Sequence, residues 1–279
     1  ASVAPDELSE ILEAAAAESF SVDFAGIPLE ELHTIAAVMC ATGLPAEERD
    51  HFVMRLVQLP LFARSTDGTK IAFVHEILEL YLAAKSLVRT LRTSPQQFAH
   101  VLDRPTLLGR GVLLSLLAEQ LKKDNLGPKL WQIIASPSIA DGSFRVILQL
   151  AILADPTGIT ESAKTTALMG RRLEGIAFTK LDLKGARFDG SDLTNATFSE
   201  CDMRGASLDD ALIHNTTFDL QPHDFDGIDL GGLQRVHSAR IGKRFYDTPT
   251  EIAKLLRQND TTRAPCQDRC PTARQVAQL

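Results

Sequence analysis

The chain has 279 residues, 44% of them apolar, enough to bury a sizeable core and to build two domains, or one domain and a repeat array. A net charge of −7 and a pI near 5.5 argue against a nucleic-acid binder that works by bulk phosphate attraction. Four cysteines show no disulfide-framework spacing, which fits a reducing compartment, and the longest apolar stretches, such as 146–154, are far too short to span a bilayer.

Asp6, Glu7, Glu10 and Glu13 stand where a signal peptide carries basic residues, so the expectation is a cytoplasmic protein with no membrane partner. The chain opens with Ala, almost directly into a helical pattern, and reads as a piece of something longer. Apolar residues spaced i, i+3, i+4 predict helices at about 5–18, 28–42, 46–58, 75–92, 95–103, 107–123, 128–136, 142–154 and 160–170. One hairpin signal interrupts them: Leu61–Arg64 and Lys70–Val74 flank Ser65-Thr-Asp-Gly-Thr69. Three helices followed by a hairpin make a winged-helix pattern over 1–92. The short helices of 93–170, joined by Pro- or Gly-containing turns, suit an antiparallel stack.

The hairpin leads into Phe73-Val-His75-Glu-Ile-Leu-Glu-Leu-Tyr81-Leu-Ala-Ala84. This segment resembles the F-x-H-x-S-F-x-E-Y-F-A-A stretch that ends the winged helix of NACHT-type STAND NTPases. Phe73, His75, Tyr81, Ala83 and Ala84 match; Ile77 stands for a frequent Ser or Thr, Leu80 for a frequent Glu, and Glu79 lies one position early. The resemblance implies an effector and a nucleotide-binding core upstream, with ADP or ATP and Mg²⁺ as cofactors of the full-length protein. It also gives His75 the nucleotide-sensing role, reaching the β-phosphate of ADP in the resting state. An imidazole at a helix start is suited to phosphate, because the backbone N–H groups there favour anions too. The alternative for His75 is a structural bond to neighbouring backbone.

From residue 171 the period changes to five. Large apolar residues occupy Leu173, Phe178, Leu183, Phe188, Leu193, Phe198, Met203, Leu208, Ile213 and Phe218, and small ones usually sit two positions earlier, as at Ala186, Ser191, Ala196, Cys201 and Ala206. On a helix, steps of five rotate by roughly 140° and scatter these residues around every side. On a flat strand they alternate between faces. A chain that bends after every five residues keeps them all inside, and four bends stack residues twenty apart at about the 4.8 Å inter-strand spacing. Leu181-Asp-Leu-Lys-Gly185, Ser191-Asp-Leu-Thr-Asn195 and Cys201-Asp-Met-Arg-Gly205 resemble the pentapeptide-repeat family, A-(D/N)-L-x-x, whose fold is a right-handed quadrilateral β-helix. Phe178, Phe198 and Phe218 should then form one column, and Asp182, Lys184, Asp202 and Arg204 a charged outer face. The register breaks at Gln221-Pro222, Phe225 and Leu230 offer two imperfect faces, and 236–258, with strand-like Arg240–Tyr246 and a helix near 249–257, reads as a C-terminal cap. Residues 259–279 are polar and aperiodic, a flexible tail.

The expected fold class is therefore α+β: winged helix (1–92), all-α stack (93–170), pentapeptide β-solenoid (171–235), cap and tail. No catalytic constellation appears, and the chain itself is not expected to be an enzyme. Gly158-Ile-Thr-Glu-Ser-Ala-Lys164-Thr165 mimics a phosphate loop but has Ala163 where the second Gly belongs. His75-Glu-Ile-Leu-Glu79 lacks the second histidine of a zinc hydrolase, and Ile77, Leu78, Tyr81 and Leu82 read as a packing face. Cys266 and Cys270 have no second ligand pair, Cys40 and Cys201 read as buried thiols, Trp131 as core, and His214, His223 and His237 as surface residues. No metal site is expected.

Two functional readings follow. The first is the regulatory and sensor portion of a prokaryotic STAND NTPase in antiphage defence or signalling, partnered by its upstream NTPase domain and by a protein trigger or self-association. The second is a stand-alone pentapeptide protein, a scaffold or a DNA mimic on a topoisomerase; residues 171–220, with six Lys/Arg against nine Asp/Glu, are short and mixed for such mimicry. Direct DNA binding is disfavoured, since the third helix opens with Glu47-Glu48-Arg49-Asp50.

Overall fold

The computed structural model describes residues 5–39, 46–137, 139–161, 163–220, 224, 227–230, 232, 235–248, 250–252 and 254. Cys40, Gln221, Pro222, His223, Phe225, Pro249, Cys266, Cys270 and the whole of 259–279 lie outside them. The chain divides into two units, residues 1–163 and 164–279. Helices and sheets are both present, so the class is α+β.

In the first unit, α1 (Pro5–Ser21) starts with Pro5, Asp6 and Glu7, a residue set that suits a helix N-terminus in both φ and charge. Its C-terminal carbonyls meet cations: Arg104 donates to Phe20 O (2.6 Å) and Ser21 O (3.0 Å). A short strand, β1 (Ile27–Pro28), precedes α2 (Leu29–Met39) and α3 (Ala46–Leu56); β2 (Phe62–Arg64) and β3 (Lys70–Phe73) follow. The sheet order is β1-β3-β2, all antiparallel, with Ile27 opposite Ile71 and Phe62 opposite Phe73. Two residues are too few to show alternation, so β1 left no mark in the sequence pattern. At the hairpin tip Gly68 takes φ +73°, and the Asp67 carboxylate accepts from the Ser65 hydroxyl and from Thr69 N.

α4 (Glu76–Thr93) packs against α1 and against α6 (Gly111–Lys123) through Leu80, Ala83, Ala84, Leu87 and Leu91. Between α1 and α4 the buried Glu13 carboxylate takes Lys85 Nζ at 2.7 Å and Arg89 Nη2 at 3.0 Å, so the charge is paired on both oxygens. α5 (Pro95–Val101) is capped by Ser94. The helix expected over 107–123 is divided: Pro105–Gly109 is a 3₁₀ turn, and α6 begins only at Gly111. α7 (Gly127–Ile134) and α8 (Asp141–Ala154) complete the stack, with Trp131 fully buried and its indole N–H on Asp155 O at 2.9 Å.

A π-helical turn, Ala163–Ala167, leads into the repeats, where an α-helix over 160–170 was expected. The apolar spacing of Ala163, Ala167 and Leu168 mimicked a helix. In fact this segment closes the first coil, since Lys164 O accepts from Arg187 N (2.8 Å) and Leu168 O from the buried Ser191 hydroxyl (2.6 Å).

From Arg172 on, backbone pairs link residues twenty apart along four parallel ladders. One joins Arg172, Asp192 and Leu212; a second comprises β4 (Ala177–Thr179), β5 (Thr197–Ser199) and β7 (Thr217–Asp219); the third joins Asp182 to Asp202, and the fourth Arg187 to Ser207. At most corners the carbonyl of the apolar residue accepts from the N–H three residues on, as in Ala186 N to Leu183 O (2.9 Å) and Ala196 N to Leu193 O (2.9 Å). The residue two past the apolar one has positive φ: +66° at Gly185, +57° at Asn195 and +67° at Gly205. Lys180, Glu200 and Asp210 take the same conformation at that position; Gly and Asn adopt it at least cost, Gly because it has no Cβ.

All ten apolar centres are 2% exposed or less. Phe178, Phe198 and Phe218 stack at 4.6 and 5.0 Å with planes within 7°, and Phe188 meets Phe178 and Phe198 edge-on at 5.6 and 5.5 Å. The small positions are buried as well. Where they carry a donor, it reaches the carbonyl twenty-three residues back: Ser191 to Leu168, Cys201 to Phe178 (3.4 Å), and Thr216 to Leu193 (2.8 Å).

The ladders do not stop at 235. β6 (Leu212–His214) pairs with β8 (Arg235–His237) and β7 with β9 (Ala239–Ile241), at an offset of twenty-three rather than twenty. Asp229 joins Ser207 at twenty-two. The last coil thus absorbs extra residues and regains phase, so that 236–241, read from sequence as cap, is ladder. β10 (Arg244–Tyr246) turns back antiparallel onto β9, and Thr250–Ile252 is helical with Ile252 buried.

Phe198 has an aromatic neighbour above, below and beside it. Phe198→Ala should cost about 3–5 kcal/mol, read by urea denaturation, and split the stack at its middle. A loss below about 1 kcal/mol would show that the column is not packed as described.

Candidate recognition site

Opposite charges interlock on the outside of the repeats. On the face of Leu183 and Met203, Arg204 grips Asp202 through two nitrogens, Lys184 Nζ stands 3.7 Å from Asp202, and Lys164 Nζ 3.1 Å from Asp182. The Arg204 hydrogen bonds, aided by Lys184, hold the Asp202 carboxyl down to about 2. Partial burial tends to raise the Asp182 carboxyl, but the Lys184 N–H and Lys164 outweigh it and keep it low. Arg187 and Asp189 pair on the next face, and Arg172 and Glu174 on the face of Leu173. The fourth face presents Ala177, Thr179, Thr197, Ser199 and Thr217, with the exposed Lys180–Glu200 pair (3.9 Å) at its edge and Asp219 at its end. The arrangement offers a flat hydroxyl-lined face beside others whose ions are already partnered. The hydroxyls of that face can both donate and accept hydrogen bonds at the surface.

His75 lies at the other candidate position, the N-cap of α4, with φ −112° and ψ 105°. Its side chain is exposed and makes no capping bond, while its carbonyl accepts from Leu78 N and Glu79 N. Ile77 is 70% exposed and Tyr81 37%, so the face read as packing is in part an outward one; Leu80, Leu82, Ala83 and Ala84 turn inward instead. Val74, His75, Ile77 and Tyr81 are thus all exposed around the start of α4, with Ile77 and Tyr81 one turn apart on the same side. Glu79 points the other way. Its buried carboxyl accepts from the Ser19 hydroxyl, and burial, with help from Glu76, pushes its pKa up against that bond. His75 and Glu79 thus share no site, and among the described residues no group of three His, Cys, Asp or Glu side chains is arranged for a metal.

The phosphate-loop mimic resolves into two unrelated structural roles. A Cβ on Gly158 would fall 2.0 Å from Asp155 Oδ2 and 2.8 Å from Trp131 Cδ1, so Gly is needed there for packing. Lys164, 4% exposed, points its ammonium at Asp182. Sequence reasoning did not find the cleft of about 460 Å³ between α5, α7 and the start of α8. It is lined by Gln96, His100, Asp103, Lys129, Gln132 and Ser143 among others, residues spread over three helices and the loop after α5, with no shared spacing. Asp103 Oδ1 accepts from Ser143 N and Lys129 Nζ reaches Leu91 O and Arg92 O, so two of its charges serve as helix caps.

Comparison with known families agrees with the geometry of the second unit. Residues 172–218 match the family model for pentapeptide repeats, in eight copies. No curated protein and no solved structure matches the chain. The repeats mark a protein-interaction module, and no helix among the described residues is long and apolar enough to cross a membrane.

Glu79 gives a pH signature. Its raised pKa means that the fold favours the protonated carboxyl, so its contribution is fully present below the unfolded value of 4.5 and is lost as pH rises through the folded pKa. Glu79→Gln should match the wild type near about pH 4 and exceed its stability at about pH 7, by thermal melts at both. Equal melting differences at the two pH values would contradict the burial argument.

Proposed function

We propose that this chain is the regulatory and recognition portion of a prokaryotic STAND, NACHT-like NTPase acting in antiphage defence or signalling. His75 carries the reading: an exposed, unengaged imidazole at the N-cap of a long helix, directly after a three-stranded wing. The order α1-β1-α2-α3-β2-β3, with β3 central, supports a winged helix. The four ladders support a right-handed quadrilateral β-helix as the sensor, and its hydroxyl-lined face suits a protein trigger. The N-cap fits a phosphate because N–H groups at a helix start favour anions, and His75 adds a donor. In this scheme ADP or ATP with Mg²⁺ sits in an upstream core, His75 biases it toward the ADP-bound resting form, and engagement of the repeats releases that hold. In the stand-alone alternative, a scaffold or DNA mimic, the ion pairs of Asp189 and Asp202 would lessen the negative charge that mimicry of a polyanion uses.

In the full-length protein, His75→Ala should speed ADP release and raise basal activity at least about tenfold, the loss of roughly one charge-assisted hydrogen bond to phosphate. Unchanged ADP retention, or an upstream reading frame without a phosphate loop and an acidic Mg²⁺ motif, would overturn the assignment.

A further inference from the structure

His214 and His237 were read from sequence as separate surface residues. The three extra residues in the last coil bring them into register on β6 and β8. Their rings stand 5.0 Å apart, centroid to centroid, with planes at 63°. A metal bonded to imidazole nitrogen at about 2.0–2.1 Å lies roughly 3.2 Å from the ring centroid, so two cis imidazoles on one ion have centroids about 4.5–5.2 Å apart. The spacing in this structure falls within that range without any backbone movement.

A second observation points the same way. Asp247 Oδ1 stands 3.7 Å from His237 Nδ1 and is itself fixed by the N–H of Ser238 at 2.8 Å. At 3.7 Å the carboxylate is an ion-pair neighbour of Nδ1 rather than a hydrogen-bond partner; drawn in on metal binding, it would orient the ring and leave Nε2 for the ion. His237 is exposed and His214 half-buried, so an ion can reach both.

We propose that His214 and His237 form a two-imidazole site for a divalent transition metal of the class that prefers nitrogen, zinc, nickel or copper, with Asp247 as the positioning residue. Two protein ligands leave the remaining coordination positions to water or to a side chain of a bound partner. The ion would pin β8 to β6 at the point where the twenty-residue register gives way to twenty-three.

The test is calorimetric titration of the chain with Zn²⁺ and, separately, Ni²⁺, alongside thermal melts in each metal. The wild type should take one equivalent and melt higher when loaded. His214→Ala and His237→Ala should each weaken binding at least about tenfold and abolish the melting shift, and Asp247→Asn should weaken it by about tenfold with the stoichiometry kept. His214→Gln and His237→Gln retain a polar side chain of similar reach and serve if an Ala variant fails to fold; His33→Ala should bind as the wild type does. No uptake by the wild type, or uptake undiminished in the double His214→Gln, His237→Gln variant, would overturn the proposal.

Discussion

An extended chain that must keep every fifth side chain inside has to change direction between them, and in residues 172–219 nearly every other feature answers that demand. The turn needs a residue of positive φ, which explains Gly175, Gly185, Asn195 and Gly205 two places after the apolar centre. The inner corner mostly takes a small residue, as at Ala186, Ser191, Ala196, Cys201, Ala206, Ala211 and Thr216, while Ile176 and Leu181 bury larger side chains there. Any polar atom admitted there must find a carbonyl, and those of Ser191, Cys201 and Thr216 do. Stacking follows, because rungs that turn alike satisfy one another's backbone groups. The Phe178–Phe198–Phe218 column is the result of this geometry rather than its cause.

That logic also fixes what the sequence could reveal. Ten residues at one interval overdetermine the repeat, so the array and its inner column were legible from spacing alone. The last coil was not, because extra residues between Phe218 and Val236 break the count. The signal was still there: Val236 and Ile241 are five apart and continue the columns of Ile213 and Phe218. In the first unit, long helices such as α4 and α8 were plain from their periodicity, whereas a two-residue strand, a 3₁₀ turn ahead of Gly111 and a π turn at Ala163 are too short to set a period. Side-chain direction was harder still. The i, i+4 pair Ile77 and Tyr81 looked like a core stripe, yet α4 buries the neighbouring Leu80, Ala83 and Ala84.

Two kinds of surface emerge from these constraints. On α4 an exposed histidine stands at the helix N-terminus, and Ile77 and Tyr81 form a separate exposed pair one turn apart. On the repeats, ion pairs run along three of the outer faces, and the fourth is lined mainly by hydroxyls. The proposed regulatory role rests on the first, the recognition role on the second. The cleft near His100 and the paired histidines at 214 and 237 belong to neither, and show how residues without sequence spacing converge only in the fold.

The account stands on the four-cornered path of the backbone, and nuclear Overhauser contacts test it most directly. Amide and α protons should show cross-strand contacts between Phe178 and Phe198 and between Phe198 and Phe218, and then, at the wider interval, between Thr217 and Arg240. Sequential i to i+3 contacts typical of helix through 172–218, or an absence of contacts at these offsets, would contradict it.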